Sequence, residues 1–448
     1  MIKIYDSLKQ KLIPFKPIKK NQVSFYVCGP TVYGPGHIGH ARTYIAFDII
    51  RRYLEYKKYK VKYVMNLTDI HDDIIKQIKK DKTDILTLSN KYVKLFLQDQ
   101  ENLGIKKADH HPRVTENIPE VIRFIKKLEK AGLTYQNKGS VYFDVSKYKD
   151  YGKLSNIKIE KGKTGTRVDT DKYERDQAVD FVLWKGKKPG EPSWKSPWGE
   201  GRPGWHIECS AFNKKYLGEQ IDIHGGGQDL KFPHHENELA QTEAVTKKKP
   251  FVKYWMHTGF LNINNTKMSK SLNNYIVIPD VLKNWDKRTI RMFIVSSHYQ
   301  STLNWSERNL KQAENRLQRI DEFLSKLGKG KKINLSKYEK AIEKAMDDNF
   351  NTPEALAVVF NLISDINPKI DKVNKKEILD FFKQIDKIFN FLIKPKQEIP
   401  KNIKDLAKKR QELRKQKKYS EADKVRNEIE KLGYIVEDVR NTFTIKRK

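Results

Sequence analysis

Hydrophobic positions near the start of the chain follow two different periods. Residues 23–28 form a short, mostly apolar run that ends at Gly29-Pro30, which predicts a buried strand. From residue 39 to residue 60 the apolar positions recur at helical spacing. A second apolar run at 62–67 and a helical pattern at 69–80 follow. A strand, a helix and a second strand in this order predict a parallel sheet with a right-handed crossover.

The regular alternation of strand and helix stops between residues 113 and 204. A helical stretch at 118–133 leads to one short strand at 140–145, and the residues after it are polar or rich in Pro, Gly and Trp. We interpret this region as an insertion that interrupts the parallel sheet. The sheet is predicted to resume at 220–224, before three glycines and a helix from 232 to 245.

Three side chains with useful chemistry stand at the predicted carboxyl ends of these strands. They are Cys28, Thr68 and His224. Ligands of open α/β sheets bind at this edge, so the sequence predicts a site there.

The last third of the chain is helical and strongly charged. Amphipathic patterns at 350–366 and 378–392 predict two further helices. Pro395 and Pro400 bound a linker. Residues 391–448 carry 18 Lys and Arg against 9 Asp and Glu, a local charge of +9. We therefore expect a helical bundle followed by a small basic domain.

The whole chain of 448 residues is basic, with 89 Lys and Arg against 56 Asp and Glu and a formal charge of +33. Such an excess favours a nucleic-acid partner, because each neutralised phosphate releases counterions. A lysine-rich proteome would raise the charge in the same way without any partner. Neither a signal sequence nor an apolar run long enough for a membrane span is visible, so we expect a cytoplasmic protein of two to four domains.

Residues 37–40, with the sequence His-Ile-Gly-His, lie where a loop enters a helix. A helix N-terminus offers free N–H groups and a positive dipole end to phosphate. The imidazoles of His37 and His40 can donate hydrogen bonds to an α-phosphate, while Gly36 and Gly39 let adenosine approach the backbone. Two histidines alone are more typical of a surface loop, but the strand–loop–helix context and a second motif favour the phosphate site.

The second motif, residues 267–271, has the sequence Lys-Met-Ser-Lys-Ser. Lys267 and Lys270, with two serine hydroxyls, suit the β,γ-pyrophosphate that leaves ATP. An ordinary polar turn is the alternative. Together the two motifs predict an active site that handles the triphosphate of ATP.

The chain has only two cysteines, Cys28 and Cys209. A disulfide is the weakest interpretation in a reducing compartment, which leaves free thiols or metal ligands. His234 and Glu238 are four positions apart on one face of a predicted helix, and the mixed set of two sulfurs, one nitrogen and one oxygen suits zinc. A buried cysteine pair with surface His and Glu is the alternative. Other histidines are equally available to the set: His206, His224 and His235.

These motifs stand within longer stretches that resemble class I aminoacyl-tRNA synthetases and, within that class, the cysteinyl-tRNA synthetase family. The resemblance covers essentially the whole chain. The two ATP motifs are shared across class I, whereas the stretches around the candidate metal ligands and at 180–185 are specific to the cysteinyl family. The matching stretches are residues 26–33, 66–69, 180–185, 201–210, 222–230, 232–238, 348–353 and 422–426.

The resemblance implies one zinc ion per chain, held by Cys28, Cys209, His234 and Glu238 and bound directly by the substrate thiolate. Serine differs from cysteine only by oxygen in place of sulfur, so pocket size separates the two poorly, whereas a thiophilic cation separates them well. The Glu238 bond is the weaker one, and we expect it to adjust when the substrate adds.

The resemblance also implies the other partners: ATP with Mg²⁺, L-cysteine and tRNA(Cys), with no membrane. Trp205 would form a hydrophobic wall of the cysteine pocket, and Thr68 would place a hydroxyl near the substrate amine. His224 and Asp229 would face cysteine or the adenylate. A monomer is expected.

Two positions depart from the family pattern. His71 and Asp73 stand where the family commonly has an acidic and a basic residue. They closely follow the strand-end threonine, so they change the local charge beside the pocket, but no catalytic assignment depends on them.

The implied fold is α/β, a Rossmann-type doubly wound parallel sheet split by an insertion and followed by a mainly α-helical bundle and a small C-terminal domain. The expected domains are a Rossmann catalytic domain (1–112 and 205–250), a connective insertion (113–204), a stem-contact region with the second motif (251–310), a helical bundle (311–393) and a basic anticodon-binding domain (394–448).

The expected activity is ATP-dependent ligation of L-cysteine to tRNA(Cys) through a cysteinyl-adenylate. One rival is a related ligase that passes cysteine to an amino sugar, and the basic segment at 391–448 argues against it. The other is a non-catalytic RNA-binding relative. Intact His37, His40 and Lys270, together with all four metal ligands, argue against that rival.

Replacing Lys270 by Ala should slow adenylate formation, because the lysine charge that would stabilise the leaving pyrophosphate anion is lost. Loss of one such electrostatic contact typically costs about 10²–10³ in rate. Zinc content should stay unchanged and serves as the control for folding. A pyrophosphate burst equal to that of the wild type would remove Lys270 from this role.

Overall fold

The computed structural model of the chain describes residues 1–157, 167–168, 180–268, 274–328, 330–395, 400–439 and 442–447. The chain divides into two compact units, Met1–Ile393 and Lys394–Lys448. No helix within the described ranges is long and apolar enough to cross a membrane.

The amino-terminal part of the large unit alternates strands and helices. Its elements are β1 (Lys3–Asp6), β2 (Lys11–Pro14), β3 (Gln22–Val27), α1 (Ile38–Tyr56), β4 (Lys60–Met65), α2 (Asp72–Asp81) and α3 (Ile85–Asn102). Strands β1 and β2 form an antiparallel pair, whereas β3 pairs in parallel with β4. The strand–helix–strand order predicted from the hydrophobic pattern is therefore present.

A separate mixed sheet with one helix follows. Its elements are α4 (Ile118–Lys130), β5 (Thr134–Asn137), β6 (Ser140–Phe143), β7 (Arg167–Val168), β8 (Asp180–Gly186) and β9 (Gly201–Pro203). The strand order is β5-β6-β8-β7, with β9 also on β8, and the pairs are antiparallel except β7 with β8. This sheet splits the parallel one in sequence.

The parallel sheet resumes after the mixed sheet. The elements are α5 (Ile207–Tyr216), β10 (Ile221–Gly227), α6 (His234–Thr246) and β11 (Val252–Thr258). Its strand order is β11-β10-β3-β4, with all pairs parallel. The predicted α/β fold with a split parallel sheet is thus confirmed.

His224 does not lie at a strand end, so that expectation is wrong. It is paired with Trp255 on one side and Tyr26 on the other, inside β10. The three glycines after it stay extended because their backbones continue the pairing with β11, as far as Gly227 opposite Thr258.

The rest of the large unit is mainly helical. Its elements are β12 (Leu261–Ile263), β13 (Thr266–Lys267), α7 (Ile278–Asn284), α8 (Lys287–Val295), β14 (Leu303–Trp305), α9 (Glu307–Lys326), α10 (Ser336–Asp347), α11 (Thr352–Ile366) and α12 (Lys375–Phe389). Strand β12 pairs with β13 and β14 in a small sheet. Short 3-10 segments occur at Val145–Lys147, Gln228–Lys231 and Asn367–Lys372.

Alternate side chains of β3 enter two different cores. Phe25 and Val27 belong to the core that contains the apolar face of α1, whereas Tyr26 and Cys28 belong to the core that contains α5 and α6. Because side chains alternate along a strand, Cys28 faces the layer that holds these two helices.

Helix α6 is buried although most of its residues are polar. On one side, Glu236 accepts hydrogen bonds from the backbone N–H groups of Gly152 and Ser155 at 2.9 and 2.7 Å. Glu243, seven positions on and therefore on the same side, accepts from the hydroxyl of Tyr148 at 2.7 Å. The segment after β6 thus covers one side of α6 with polar contacts and leaves the opposite side for other partners.

The small unit contains α13 (Lys401–Lys415), α14 (Tyr419–Lys431) and an antiparallel pair, β15 (Tyr434–Val439) with β16 (Thr442–Arg447). Ile403, Val425 and Ile429 form its apolar core. The guanidinium of Arg410 donates to both carboxylate oxygens of Asp438 at 2.7 and 2.9 Å, which fixes the sheet on α13.

A buried ion pair joins the first helix of the parallel sheet to the bundle. Nη2 of Arg291 in α8 donates to Asp48 of α1 at 2.7 Å, and both side chains are fully buried. Arg291 also donates to the carbonyls of Phe389 and Leu103 at 3.1 and 3.3 Å. One guanidinium therefore connects α1, α8 and the ends of α3 and α12.

Replacing Asp48 by Asn should lower the free energy of unfolding by about 3–5 kcal/mol near neutral pH, because Arg291 is left buried without its counter-charge. Burial alone would raise the pKa of Asp48, but the charges of Arg291 and Arg52 outweigh burial and hold it below its usual range. The carboxylate therefore stabilises the fold above about pH 4, and this contribution is lost as the pH falls through the lowered pKa.

Urea unfolding at several pH values would measure this difference. Asp280→Asn is the control, because Asp280 pairs only at the surface with Lys283, at 2.7 Å, and its loss should cost less than about 1 kcal/mol. A variant-to-wild-type difference that stays constant down to pH 2 would contradict the electrostatic origin.

Candidate active site

A cavity of about 550 Å³ opens beside the carboxyl ends of the parallel strands. This is the edge at which open α/β sheets bind ligands. The predicted site residues that line it are Cys28, Gly36, His37, Gly39, His40, Trp205 and Asp229.

His37 caps the N-terminus of α1 and forms a reciprocal pair with His40. Nδ1 of His37 accepts from the backbone N–H of His40 at 3.3 Å, and Nδ1 of His40 accepts from the backbone N–H of His37 at 3.4 Å. The rings are stacked with centroids 3.6 Å apart. Because both Nδ1 atoms are acceptors, each neutral ring carries its proton on Nε2. Each imidazole therefore presents an N–H donor edge beside a helix N-terminus, where phosphate is favoured.

The second motif approaches the first. Met268 lines the cavity, and its Cε lies 3.2 Å from the position that a Cβ on Gly39 would take. Further along, the backbone N–H of Ile278 donates to the carbonyl of Gly36 at 2.8 Å. The chain on either side of the second motif's serines is therefore held against the loop of the first motif.

These contacts do not test the predicted role of the two lysines in the second motif. Lys270 lies outside the described residues. Lys267 is described by its backbone, which pairs with Asn262 in the small sheet. Their contacts with pyrophosphate stay a prediction.

Four buried side chains from three elements meet next to the cavity. Cys28 follows β3, Cys209 lies in α5, and His234 and Glu238 lie one turn apart in α6. One ligand atom from each lies within 4.8 Å of all the others. The structure thus brings together the predicted metal set.

The spacing of these ligand atoms matches a tetrahedral zinc site. Sγ of Cys28 and Sγ of Cys209 are 3.9 Å apart, and Cys209 Sγ is 3.5 Å from His234 Nε2. Glu238 Oε1 is 3.1 Å from His234 Nε2 and 3.5 Å from Cys28 Sγ. Ordinary zinc bond lengths at tetrahedral angles require about 3.8 Å between two sulfurs, about 3.5 Å between sulfur and nitrogen and about 3.3 Å between nitrogen and oxygen. The donor set fits this ion.

A second candidate set shares Cys28 and Glu238 and takes His224 and His235 in place of the other two residues. Nε2 of His224 and Nε2 of His235 lie 3.4 and 3.3 Å from Cys28 Sγ. This set offers one thiol, whereas the first offers two. A soft thiolate pair with one imidazole is the donor set that zinc favours, so the first set is the better metal site.

The charges in the cluster favour a cation. Burial alone would lower the pKa of His234, but the negative charges of Glu238 and Cys209 raise it to about 10. Burial and the neighbouring Cys209 raise the pKa of the Cys28 thiol well above its ordinary value. A metal ion among these ligands would replace the imidazole proton and stabilise the thiolates.

The predicted pocket residues divide into two groups. Trp205 and Asp229 line the cavity, and the Trp205 ring lies 4.6 Å from the His234 ring, centroid to centroid. Thr68 and His224 are buried beside it. The backbone N–H of Thr68 donates at 3.1 Å to Pro30, which lines the cavity.

The two departures from the family pattern lie beside this pocket. His71 is the N-cap of α2, and its Nδ1 accepts from the backbone N–H of Asp73 at 3.1 Å. The His71 ring meets Trp205 edge to face at 5.3 Å, and Asp73 lines the cavity. His71 therefore stands next to Trp205, and Asp73 stands on the cavity wall.

Two further residues have contacts that the sequence did not predict: His206, considered there only as a possible metal ligand, and Glu208, which was not singled out. His206 places its Nδ1 3.0 Å from Nδ1 of His234, which orients that ligand from behind. Glu208 is buried with its carboxylate on Thr68 and Asn66. For Glu208 the sequence signal was its position within the family-like run 201–210, and a charged residue beside an apolar one is ordinary at a helix start.

Family models match two parts of the chain. The model described as "tRNA synthetases class I (C) catalytic domain" matches residues 14–315, and the one described as "DALR domain" matches residues 341–392. The first match spans both candidate ATP motifs and all four metal ligands.

Curated relatives match over the full length. The cysteine–tRNA ligase of Thermococcus gammatolerans is 45% identical, with 100% of this chain and 99% of the relative covered. The enzymes of Thermococcus kodakarensis and Clostridioides difficile, with the same name, are 46% and 43% identical, each over 100% of this chain and 99% and 100% of the relative.

Solved structures support the fold. Methionyl-tRNA synthetase of Mycobacterium tuberculosis in complex with methionyl-adenylate superposes with a TM-score of 0.60 at 14% identity, over 83% of this chain and 88% of that one. A leucyl-tRNA synthetase ternary complex from Agrobacterium radiobacter gives 0.62 at 11% identity, over 84% and 85%. The matching family model and the full-length relatives establish that the chain belongs to the class I aminoacyl-tRNA synthetases and, within them, to the cysteine–tRNA ligase family of enzymes.

Proposed function

We propose that the chain ligates L-cysteine to tRNA(Cys) through a cysteinyl-adenylate. The observation that carries the proposal is a single cavity lined by both Cys28 of the metal cluster and the stacked His37–His40 pair. The cluster that would select a thiol and the helix N-terminus that would bind phosphate therefore face the same cavity. That combination suits a reaction in which cysteine and ATP meet.

Cys28, Cys209, His234 and Glu238 are proposed to hold one zinc ion. When bound, zinc supplies a thiophilic centre that favours the sulfur of cysteine over the oxygen of serine. Glu238 is the ligand we expect to yield when the substrate enters, because a carboxylate is a weaker zinc ligand than a thiolate or an imidazole in this mixed set. Selection at this step would make a separate editing site unnecessary.

The remaining pocket residues are proposed to fix the amino acid. Trp205 packs on His234 and would exclude water from one side of the substrate. Thr68 would place its hydroxyl near the α-amine. His224 and Asp229 would face cysteine or the adenylate, His224 from its buried position in β10 and Asp229 from the cavity wall.

His37 and His40 are proposed to stabilise the first transition state. The carboxylate of cysteine attacks the α-phosphate of ATP, and the two Nε2–H groups donate to the oxygens on which charge develops. Lys267 and Lys270 would hold the leaving pyrophosphate, with Mg²⁺ bound to ATP. No covalent enzyme intermediate is needed, because positioning and electrostatics supply the acceleration.

The second step is proposed to transfer cysteine to the terminal ribose hydroxyl of the tRNA. The formal charge of +33 and the local charge of +9 in residues 391–448 suit the RNA backbone. The unit Lys394–Lys448 has its own core, which suits a module that reads a separate part of the tRNA, the anticodon. An amino-sugar ligase has no use for such a module.

Purified protein should exchange pyrophosphate into ATP when L-cysteine is present and should then charge tRNA that carries a cysteine anticodon. Serine in place of cysteine should give at most a trace of exchange. Exchange with transfer to an amino sugar and none to tRNA would favour the paralogous ligase. RNA binding without any exchange would favour a non-catalytic relative.

Replacing Cys209 by Ser should strip the protein of zinc, because one of two thiolate ligands is lost and a hydroxyl does not ionise as readily. We expect one zinc ion per wild-type chain and much less than one in the variant, by elemental analysis after dialysis against a chelator.

The matched control is His235→Asn, which removes a ligand of the alternative set only. His235→Asn should keep its zinc through the same dialysis. The opposite result, zinc lost from the His235 variant and retained by the Cys209 variant, would assign the metal to the set with His224 and His235.

A further inference from the structure

A buried carboxylate that the proposed reaction does not use stands between the end of β4 and the start of α5. Glu208 is 1% exposed. The hydroxyl of Thr68 donates to its Oε1, and Nδ2 of Asn66 donates to the same oxygen at 3.0 Å. Its Oε2 is buried and has no hydrogen-bond partner among the described residues. Such a group is costly to bury, so a role beyond packing is expected.

The contacts of Asn66 connect this carboxylate to the strand that bears Cys28. Oδ1 of Asn66 accepts from the backbone N–H of Gly29 at 2.8 Å. A Cβ on Gly29 would lie only 1.7 Å from the carbonyl oxygen of Asn66, so the two strand ends are in close backbone contact. The segments at Gly29, Asn66–Thr68 and Glu208 therefore form one rigid polar network at the edge of the pocket.

The network determines what the Thr68 hydroxyl can offer. A hydroxyl has one proton and two lone pairs. The proton of Thr68 is committed to Glu208, and Nδ2 of Asn66 lies 3.2 Å from its oxygen, which occupies one lone pair. The lone pair that remains can only accept. A hydroxyl fixed in this way suits a cationic N–H donor and cannot donate to a neutral or anionic group.

We propose that Glu208 is a positioning residue that fixes Thr68 as a hydrogen-bond acceptor for the α-ammonium group of cysteine. The proposal rests on the proposed function, in which Thr68 faces the substrate amine. Without the carboxylate, the hydroxyl proton is free to turn toward the ammonium group and to repel it. Glu208 thereby contributes to recognition of the amino acid without touching it.

A purely structural role for Glu208 predicts something different. Glu208 precedes Cys209, so loss of its contacts with Asn66 and Thr68 would loosen α5 against the strand ends. In that case zinc binding and the affinity for every thiol ligand would decline together. The positioning role predicts instead a defect confined to ligands that carry an amine.

The test compares L-cysteine with two analogues in the pyrophosphate-exchange assay of the zinc-loaded full chain. 3-Mercaptopropionate keeps the thiol and carboxylate and lacks the amine, whereas cysteamine keeps the thiol and amine. In Glu208→Ala, KM for cysteine and the inhibition constant of cysteamine should rise about 10- to 100-fold, the range for a lost charge-assisted hydrogen bond. The inhibition constant of 3-mercaptopropionate and the zinc content should stay within about twofold of the wild type.

Two further variants sharpen the result. Glu208→Gln keeps an acceptor oxygen and should restore most of the affinity for cysteine. In a Thr68→Val background, where no hydroxyl remains to be fixed, Glu208→Ala should add little, because the two residues act as one unit. Glu236→Gln is the control for a buried carboxylate elsewhere, and it should leave the preference for amine-bearing ligands intact.

Equal loss of affinity for all three thiol ligands, loss of zinc, or full additivity with Thr68→Val would overturn the proposal and leave Glu208 a structural residue. Failure of the proposed function itself would show differently, because wild-type protein would then give no cysteine-dependent exchange.

Discussion

The parallel pairing of β3 with β4 on one side and with β10 on the other is the constraint on which the rest of the site depends. It brings Cys28 next to Glu238, 210 positions away in the chain. A slip of one residue in β3 would exchange the faces of Cys28 and Val27 and place the thiol among the apolar residues of α1. The same pairing leaves α1 on one face and α5 with α6 on the other. The cavity lies at the carboxyl ends of these strands, so His37 and His40 at the start of α1 and the candidate metal ligands of α5 and α6 approach it from opposite faces of the sheet.

Charge concentrated in a water-poor interior is the second organising feature. Two thiols, a carboxylate and several imidazoles share one buried region, and each is stable there only through its neighbours. His234 retains a proton strongly because Glu238 and Cys209 are close, while burial lowers the pKa of His206 well below its ordinary value and keeps its ring neutral. The imidazoles of His234 and His206 therefore differ in protonation although they lie side by side. A metal ion held by Cys28, Cys209, His234 and Glu238, as proposed above, would balance the negative charges at this point of the cluster.

Much of this arrangement was predictable from the sequence, and the failures have physical reasons. The parallel sheet followed from the alternation of apolar periods, and so did the place of residues 37–40 at the start of a helix. The choice between His234 and His235 did not follow from spacing, because adjacent residues of a buried helix both reach Cys28 and Glu238. Glu208 escaped notice because nothing in a linear pattern separates a buried carboxylate from a solvated one. His224 was misplaced because three glycines, which usually end a strand, stay extended here through their pairing with β11.

Helix α6 illustrates how the mixed sheet and the parallel sheet depend on each other. One side of the helix carries two candidate metal ligands, and the other side carries Glu236 and Glu243, whose partners Gly152, Ser155 and Tyr148 come from the segment after β6. The segment after β6 and helix α6 therefore depend on each other for their buried polar contacts. A chimera that took this segment from a distant relative would lose the Tyr148 contact of Glu243 or misplace the backbone donors of Glu236, beside the candidate metal ligands. Over evolution, the segment and the helix can be expected to have changed together, and recombination between lineages would be tolerated only where the exchanged piece includes both.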